Sequence, residues 1–517
     1  MLIKTVIRHG EYYDSVKLMI ATKELSEFEG IKEAAILMGS DLNKEVLKRT
    51  GLLTPESEAA VPEDLIIAIS SESQDAIDKA LDAVDGLLNK HGGGDDENEY
   101  RPKSFDSAMK TMPGLNFCII SVPGKYAKRE AMKALKNDMH VLLFSDNVTK
   151  EEELELKTYA RDNGLLLMGP DCGTAMINNV PLGFANKIRK GNIGLVGAAG
   201  TGMQEVMVLV HKLGGGISQA IGTGGRDLSV EIGGITMLQG IEALNEDPDT
   251  KVIVVISKPP AEEISDKMLS YIKENVKKPV VINFIGGDKK KVEAIGKIGA
   301  TTLEEAAVEA VKIAEAGLSS GFKIETDEEL KAIAEREAKL IKPGQKYLRG
   351  LYSGGTLCYE SMLVLRDYIG DVYSNTPLNK TMKLEDATNT TGNCCIDYGD
   401  DQFTVGRAHP MIDTTLREEE FMKEIQKDDV AVIILDVVIG YGTHSDPAGV
   451  FAKRIKQAKD IFAQNGRHVP IICYICGTDE DPQNWAMQKS KLEEAGAIIV
   501  NTNAKASKLA GMIINEL

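Results

Sequence analysis

Two segments 155 positions apart carry the same strand-to-helix turn. Gly194-Leu-Val-Gly-Ala-Ala-Gly200-Thr201 runs into Gly202-Met-Gln-Glu205, and Gly350-Leu-Tyr-Ser-Gly354-Gly355-Thr356 runs into Leu357-Cys-Tyr-Glu360. Each copy joins a short apolar strand to a glycine cluster, a Gly-Thr pair, a Glu four residues after the Thr, and an apolar helical run. An apolar strand that turns through glycine directly into a helix is the unit of a parallel α/β sheet. Glycine lets the backbone approach a ligand, and the free N–H groups at a helix start attract an anion. Two copies predict a duplicated module with room for one small anion between two helix N-termini. Gly200, Thr201, Gly202, Gly354, Gly355 and Thr356 are the binding candidates; the competing reading is two ordinary turns of an α/β fold.

The rest of the chain supports a multidomain α/β protein. Residues 2–8, 31–37 and 65–70 read as strands and 13–27 and 74–89 as helices, which makes a small N-terminal α/β unit. Residues 91–103, HGGGDDENEYRPK, have no apolar period and read as a linker. Short apolar runs then alternate with helical spacing, the pattern of a parallel sheet buried on both faces. The expected domains are 1–103, an N-terminal unit with its linker; 104–190, a Rossmann-like domain; 191–320, a first module; 321–345, a helical connector; and 346–517, a second module. In each module the Gly-Thr turn is followed by a polar loop, Gly222-Thr-Gly-Gly-Arg226-Asp227 or Tyr398-Gly-Asp-Asp401. The duplication therefore covers a whole domain.

A net charge of −18 argues against nucleic acid and anionic membranes as partners. An anionic substrate on such a surface needs local positive groups or helix N-termini. No apolar stretch is long enough to span a bilayer, and the first residues lack a signal-peptide pattern, so a cytoplasmic protein is expected. The seven cysteines read as reduced thiols, with Cys473 and Cys476 in a buried strand rather than a redox or zinc pair. No cluster has metal-ligand spacing, so no metal is expected.

Gly224, Gly225 and Asp227 are expected to line the same cleft, with Arg226 as the cation whose fork fits two oxygens of a carboxylate or phosphate. A surface ion pair is the rival reading for Arg226. His409, in Gly406-Arg407-Ala-His409-Pro410, is the candidate catalytic acid/base, because a loop histidine titrates near neutrality; a structural histidine is the rival. His444 is a weaker candidate, and His9, His91, His140, His211 and His468 read as surface or structural. Asp171 and Cys172 follow a strand where α/β clefts form but are read as structural. Glu205 and Glu360 are expected to favour the first turns of their own helices by charge.

Several stretches resemble succinyl-CoA synthetase. Met168-Gly-Pro-Asp-Cys-Gly-Thr174 is similar to the Gly-Pro-Asn-Cys segment of its α subunit, Gly200-Thr201 with Glu205 to its Ser-Gly-Thr helix start, and Tyr271-Ile-Lys-Glu-Asn-Val…Lys278-Pro-Val-Val to its Tyr-Ile-Lys-Glu…Lys-Pro-Val-Val stretch. The second module resembles the C-terminal ligase domain of the β subunit. Over nearly the whole chain the closer resemblance is to the FdrA group of acyl-CoA synthetase-like proteins, through residues 144–149 (FSDNVT), 224–228 (GGRDL) and 405–413 (VGRAHPMID). This likeness implies a Rossmann-like CoA-binding-type domain and two flavodoxin-like ligase modules. CoA is the cofactor it suggests; none is fixed by the residues.

The departures narrow the expected chemistry. Ile285–Ala300, where the synthetase carries its phosphorylated histidine, contains none. The glycine-rich loop that opens the synthetase's CoA-binding domain is not evident, and no stretch resembles its nucleotide clamp. The FdrA resemblance implies an oxamate carbamoyltransferase acting with partner subunits, oxalurate and phosphate giving oxamate and carbamoyl phosphate. The chain is expected to form a homo-oligomer when isolated. Phosphate attack on a carbonyl needs positioning and charge stabilisation, not a covalent histidine. The alternatives are acyl-CoA/acyl-phosphate exchange and a non-catalytic assembly scaffold.

Overall fold

The computed structural model describes residues 2–11, 13, 15–90, 102, 104–314, 321–404 and 407–517. Most of the expected linker, 91–101 and 103, and Val405-Gly406 of the loop before His409 lie outside the described residues. The chain divides into two compact units, Met1–Pro113 with Thr404–Ala408, and Gly114–Phe403 with His409–Leu517.

In the first unit the order is β1 (Leu2–Arg8), α1 (Ser15–Ser26), β2 (Ile31–Met38), α2 (Asp41–Arg49), α3 (Pro55–Ala59), β3 (Leu65–Ser71), α4 (Gln74–Lys90) and α5 (Phe105–Thr111). The antiparallel sheet has the order β1-β3-β2. Its centre, β3, is buried along its full length, which is why it reads as a continuous apolar run rather than an alternation. Leu18, Leu25, Ile67, Ile77 and Val84 form one of its cores.

The second unit begins with β4 (Phe117–Ile120), α6 (Gly124–Leu135), β5 (His140–Leu143), α7 (Lys150–Asp162) and β6 (Leu167–Met168), a parallel three-stranded sheet. Next come β7 (Thr174–Ile177), β8 (Val180–Gly183), β9 (Lys190–Gly197), α8 (Gly200–Lys212), β10 (Ile217–Gly222), α9 (Ile235–Glu246) and β11 (Val252–Ser257). α10 (Glu262–Asn275), β12 (Val280–Phe284), α11 (Lys289–Ala294), β13 (Ile298–Gly299) and α12 (Leu303–Ile313) complete the first module. The connector helix α13 (Asp327–Ala338) opens with a capping box between Thr326 and Glu329, a signal already present in the sequence. The second module contains β14 (Tyr347–Tyr352), α14 (Gly355–Ile369), β15 (Cys394–Asp397), α15 (Asp401–Thr404), α16 (Thr415–Glu424) and β16 (Val430–Val438). It ends with α17 (Pro447–Gln464), β17 (Ile471–Cys476), α18 (Trp485–Glu494), β18 (Ile498–Val500) and α19 (Asn503–Asn515).

The two modules have the same topology. The seven-stranded sheet runs β13-β12-β11-β9-β10-β7-β8, and the five-stranded sheet runs β15-β14-β16-β17-β18. Read from the second strand of each module, both are 2-1-3-4-5, the flavodoxin-like order with its switch point between the first and third strands. One expected boundary moves. The β7–β8 hairpin, placed before 190 with the Rossmann-like domain, joins the first module's sheet through antiparallel pairing of β7 with β10.

The modules share one core. Met203 and Val206 of α8, Leu303 of α12, Leu357 and Met362 of α14, and Leu509 and Ile513 of α19 belong to a single buried cluster. The Glu residues of the repeated turn lock this packing reciprocally. Glu360 on α14 accepts the Leu303 N–H at the start of α12 (2.7 Å), and Glu205 on α8 accepts the Asn503 N–H at the start of α19 (3.3 Å). Each glutamate therefore caps a helix of the opposite module, not its own helix as expected. Asn503 Nδ2 also donates to Glu360 (2.8 Å), and the Tyr474 hydroxyl donates to Glu205.

Candidate functional site

The switch points of the two sheets bring the two repeated turns together. The Thr356 N–H donates to Thr201 Oγ1 (3.3 Å), and a Cβ on Gly202 would stand 2.8 Å from Thr356 Cγ2. A Cβ on Gly354 would stand 3.0 Å from Thr201 Cγ2. Glycine at 202 and 354 is thus required by helix-to-helix approach.

The two helix starts are not equivalent. α8 begins at exposed Gly200 with no side-chain cap, beside the hydroxyl of Thr174. At α14 the protein supplies the negative charge itself. Buried Asp436 accepts the N–H groups of Ser353 (2.8 Å) and Gly354 (2.7 Å) and pairs with Arg417 (2.9 Å). Asp397, at the end of β15, points Oδ2 to 2.5 Å from the position of a Gly355 Cβ. Gly354 and Gly355 therefore face buried carboxyl groups, while α8 opens at exposed Gly200, with Thr201 and Gly202 buried behind it against Thr356.

Asp397 and His409 converge on Gly399. A Cβ there would lie 2.8 Å from His409 Nε2, 2.9 Å from the Ser353 carbonyl oxygen and 3.2 Å from Asp397 Oδ1. Asp397 accepts the Gly399 N–H (2.9 Å), yet burial pushes its carboxyl up to about 6 against the opposing charge of Lys258. The His409 ring packs on Phe184 with centroids 5.4 Å apart, and its Nδ1 accepts the Met411 N–H (3.2 Å), which leaves the proton on Nε2. Burial, then the nearby Arg417 charge, lowers its pKa to about 4. At neutral pH His409 is a neutral hydrogen-bond donor, not the titrating acid/base that the sequence suggested.

The Gly224–Asp227 loop serves the scaffold. Gly224 has φ +84, and a Cβ there would strike the Pro170 carbonyl oxygen; one on Gly225 would meet Asp171 Oδ2 at 3.3 Å. Asp227 is fully buried. It pairs with Lys157 of α7 (2.6 Å) and accepts the N–H groups of Thr236 (3.2 Å) and Met237 (2.9 Å), so it does not line the cleft. Arg226 donates to the Val148 carbonyl (2.7 Å) and pairs with buried Glu153 (3.0 Å), so its guanidinium is engaged with the start and body of α7. Asp171, which the sequence left as structural, is an exposed residue whose Oδ2 faces Gly225, and the neighbouring charges of Asp146 and Asp401 raise its carboxyl.

Sequence reasoning missed two residues. Lys258, the first residue after β11, is exposed; its Nζ lies 5.5 Å from the Tyr359 ring on α14, and its charge opposes ionisation penalties at both Asp171 and Asp397. Asp397 was hidden in a run that reads as strand. The signal that could have found both is the switch-point rule, since each lies at the C-terminal end of a strand that flanks the strand of a repeated turn. Among the described residues, no group of three or more His, Cys, Asp or Glu side chains could hold a metal. Cys473 and Cys476 are fully buried in β17. No helix is long and apolar enough to cross a membrane.

Comparison with known proteins fits this architecture. Residues 351–513 match the CoA-ligase family model, 188–285 the CoA-binding domain model, and 1–102 the model described as AllF, heavy metal-associated domain. Residues 1–102 contain no cysteine. The CoA-binding match falls on the first module, not on 104–190. The uncharacterized protein YahF of Escherichia coli (strain K12) is 43% identical over 515 residues, 99% of this chain and 98% of that protein. The α subunit of ADP-forming succinate–CoA ligase from Staphylococcus epidermidis is 29% identical over 184 residues, 34% of this chain and 58% of that subunit. The solved ATP citrate lyase from Methanothrix soehngenii, in complex with citrate and coenzyme A, aligns over 80% of this chain and 84% of its own at 13% identity and a TM-score of 0.38. The chain belongs to the family of YahF, within the succinyl-CoA synthetase superfamily of acyl-CoA ligase-like proteins.

Proposed function

We propose that the chain is the FdrA-type subunit of a cytoplasmic oxamate carbamoyltransferase that works with partner subunits. Phosphate attacks the ureido carbonyl of oxalurate to give carbamoyl phosphate and oxamate. One observation carries this reading: the uncapped helix start at exposed Gly200 meets the second module's turn through Thr201 and Thr356, the adjacent residue of that turn, Gly355, faces the Asp397 carboxyl, and Ile285–Ala300 has no histidine to carry a phosphoryl group. In this reading the N–H groups of Gly200, Thr201 and Gly202 hold phosphate. Lys258 supplies the mobile positive charge for the substrate carboxylate, and the His409 Nε2–H polarises the carbonyl as its oxygen gains charge. Arg226 and Asp227 hold the loop that shapes the cleft.

The test is incubation of the complex, purified with its partner subunits, with oxalurate and ³¹P-observed phosphate. Carbamoyl phosphate should appear in step with oxamate; release of neither discards the reading.

The match of 188–285 to a CoA-binding domain favours a second reading, acyl-CoA/acyl-phosphate exchange. Against it, the helix start at Gly124 is closed by its own chain, since a Cβ there would strike the Asp146 carbonyl oxygen and stand 2.5 Å from that of Asn147. That glycine serves backbone packing. Calorimetric titration with CoA separates the readings: binding would favour exchange.

A further inference from the structure

We infer that Asp397 is the catalytic proton carrier of this site, taking a proton from the attacking phosphate and giving it to the leaving amide nitrogen. The inference rests on the phosphorolysis reading above and names the group that makes it work.

The placement is specific. Asp397 is 6% exposed, which leaves a narrow opening to the cleft. Only Oδ1 is occupied by its own loop, through the Gly399 N–H. Oδ2 is aimed at the first residue of α14, Gly355, where any side chain would displace it, and Gly354 beside it touches Thr201 at the start of α8. Gly399 leaves a notch onto which Asp397 Oδ1 and His409 Nε2 both open. The charged and titratable groups facing it are Lys258 after β11, Asp436 on β16, Cys358 on α14, Asp400 in its own loop, and the neutral His409 ring. Asp436 pairs with Arg417 and accepts the N–H groups of Ser353 and Gly354 and the Ser353 hydroxyl, so it is committed to structure. His409 is too weak a base. Asp397 is the one carboxyl there whose burial brings its titration, at about 6, near neutrality.

The step balances. An oxygen of hydrogen phosphate forms a bond to the ureido carbon, and the bond from that carbon to the amide nitrogen breaks with its electron pair going to nitrogen. The protonated Asp397 carboxyl delivers its proton to that nitrogen, and the resulting carboxylate takes the proton of the phosphate hydroxyl. Oxamate and carbamoyl phosphate leave, and Asp397 is protonated again.

Two measurements test this on the full chain with Asp397→Asn, which keeps an oxygen for the Gly399 N–H. The first uses sulfate, whose charge is constant between pH 5 and 8, as the probe of the α8 site. Wild-type affinity should weaken on the order of tenfold as Asp397 ionises, and the Asn variant should lack that component. The second is turnover of the complex with oxalurate. The Asn variant should lose on the order of 10²–10⁴-fold in kcat, with KM for phosphate nearly unchanged. Identical sulfate–pH curves for the two proteins overturn the inference whatever the turnover. If the curves differ but wild type turns over no oxalurate, Asp397 still faces the anion and the carbamoyl-transfer reading is what fails.

Discussion

Replacing Glu205 by Gln should remove a pH-dependent instability built into the module interface. Glu205 is fully buried, and burial followed by the charge of Glu360 pushes its carboxyl up to about 8; among its neighbours, Lys212 opposes the rise. A carboxyl raised in the folded state contributes stability that is fully present below its ordinary value of 4.5 and is lost as pH rises through about 8. Over that window one extra proton is held by the folded state, so stability falls by about 1.4 kcal/mol per pH unit. Gln fits the same place: its carbonyl accepts the Asn503 N–H and its amide donates to Tyr474 in place of the hydroxyl's own donation. The difference between variant and wild type isolates this group from the many other titrations of a 517-residue chain. The assay is urea unfolding from pH 5 to 8.5 followed by the fluorescence of Trp485, the sole tryptophan, which packs on Lys212 and so reports the second unit. The Gln variant should show a flatter profile and be the more stable protein at pH 8. Parallel profiles would mean that Glu205 is ionised throughout and that the cross-module cap is an ordinary charged one.

Three further outcomes follow from the same geometry. Gly202→Ala places a methyl 2.8 Å from Thr356 Cγ2 and should destabilise by about 1–3 kcal/mol in urea unfolding; Thr356→Ser removes the struck methyl, so the double variant should recover part of the loss, whereas additive effects would deny the helix contact. Lys157→Met leaves Asp227 buried without its cation and Glu153 with Arg226 alone, and should cost about 3–5 kcal/mol by the same assay, while a neutral result would return Asp227 to the list of cleft residues. With its pKa lowered to about 4, His409 should appear in ¹⁵N spectra at pH 7 as a neutral ring protonated on Nε2, and a charged ring there would remove it as a neutral donor.

The duplicated fold was legible because it is written locally. The Gly-Thr-x-x-x-Glu pattern and the flanking apolar runs mark each strand–turn–helix, and the matching 2-1-3-4-5 orders follow from repeating that unit. The site was only half legible. The start of α8 is visible in the sequence because the Gly200-Thr201-Gly202 turn is contiguous. The closed start of α14 depends on Asp436, which lies 82 positions beyond Gly354 and meets it only through the pairing of β14 with β16. Asp227 failed as a cleft residue for the same reason, since its partner Lys157 lies on a helix 70 positions earlier. The β7–β8 hairpin was misplaced because strand pairing with β10, not chain order, decides which sheet it joins. Glu205 and Glu360 were correctly seen as a repeated pair, but a one-dimensional reading assigns a glutamate to its own helix, and here each serves the other module's helix.

On the proposed reading one helix start, not two, receives the anion. A crystal of the full chain soaked in phosphate tests this most directly. Density should appear within hydrogen-bond distance of the N–H groups of Gly200, Thr201 and Gly202 and be absent at Gly354–Thr356, where Asp436 and Asp397 repel it. Phosphate seated at Gly354–Thr356, or at neither turn, would contradict the account.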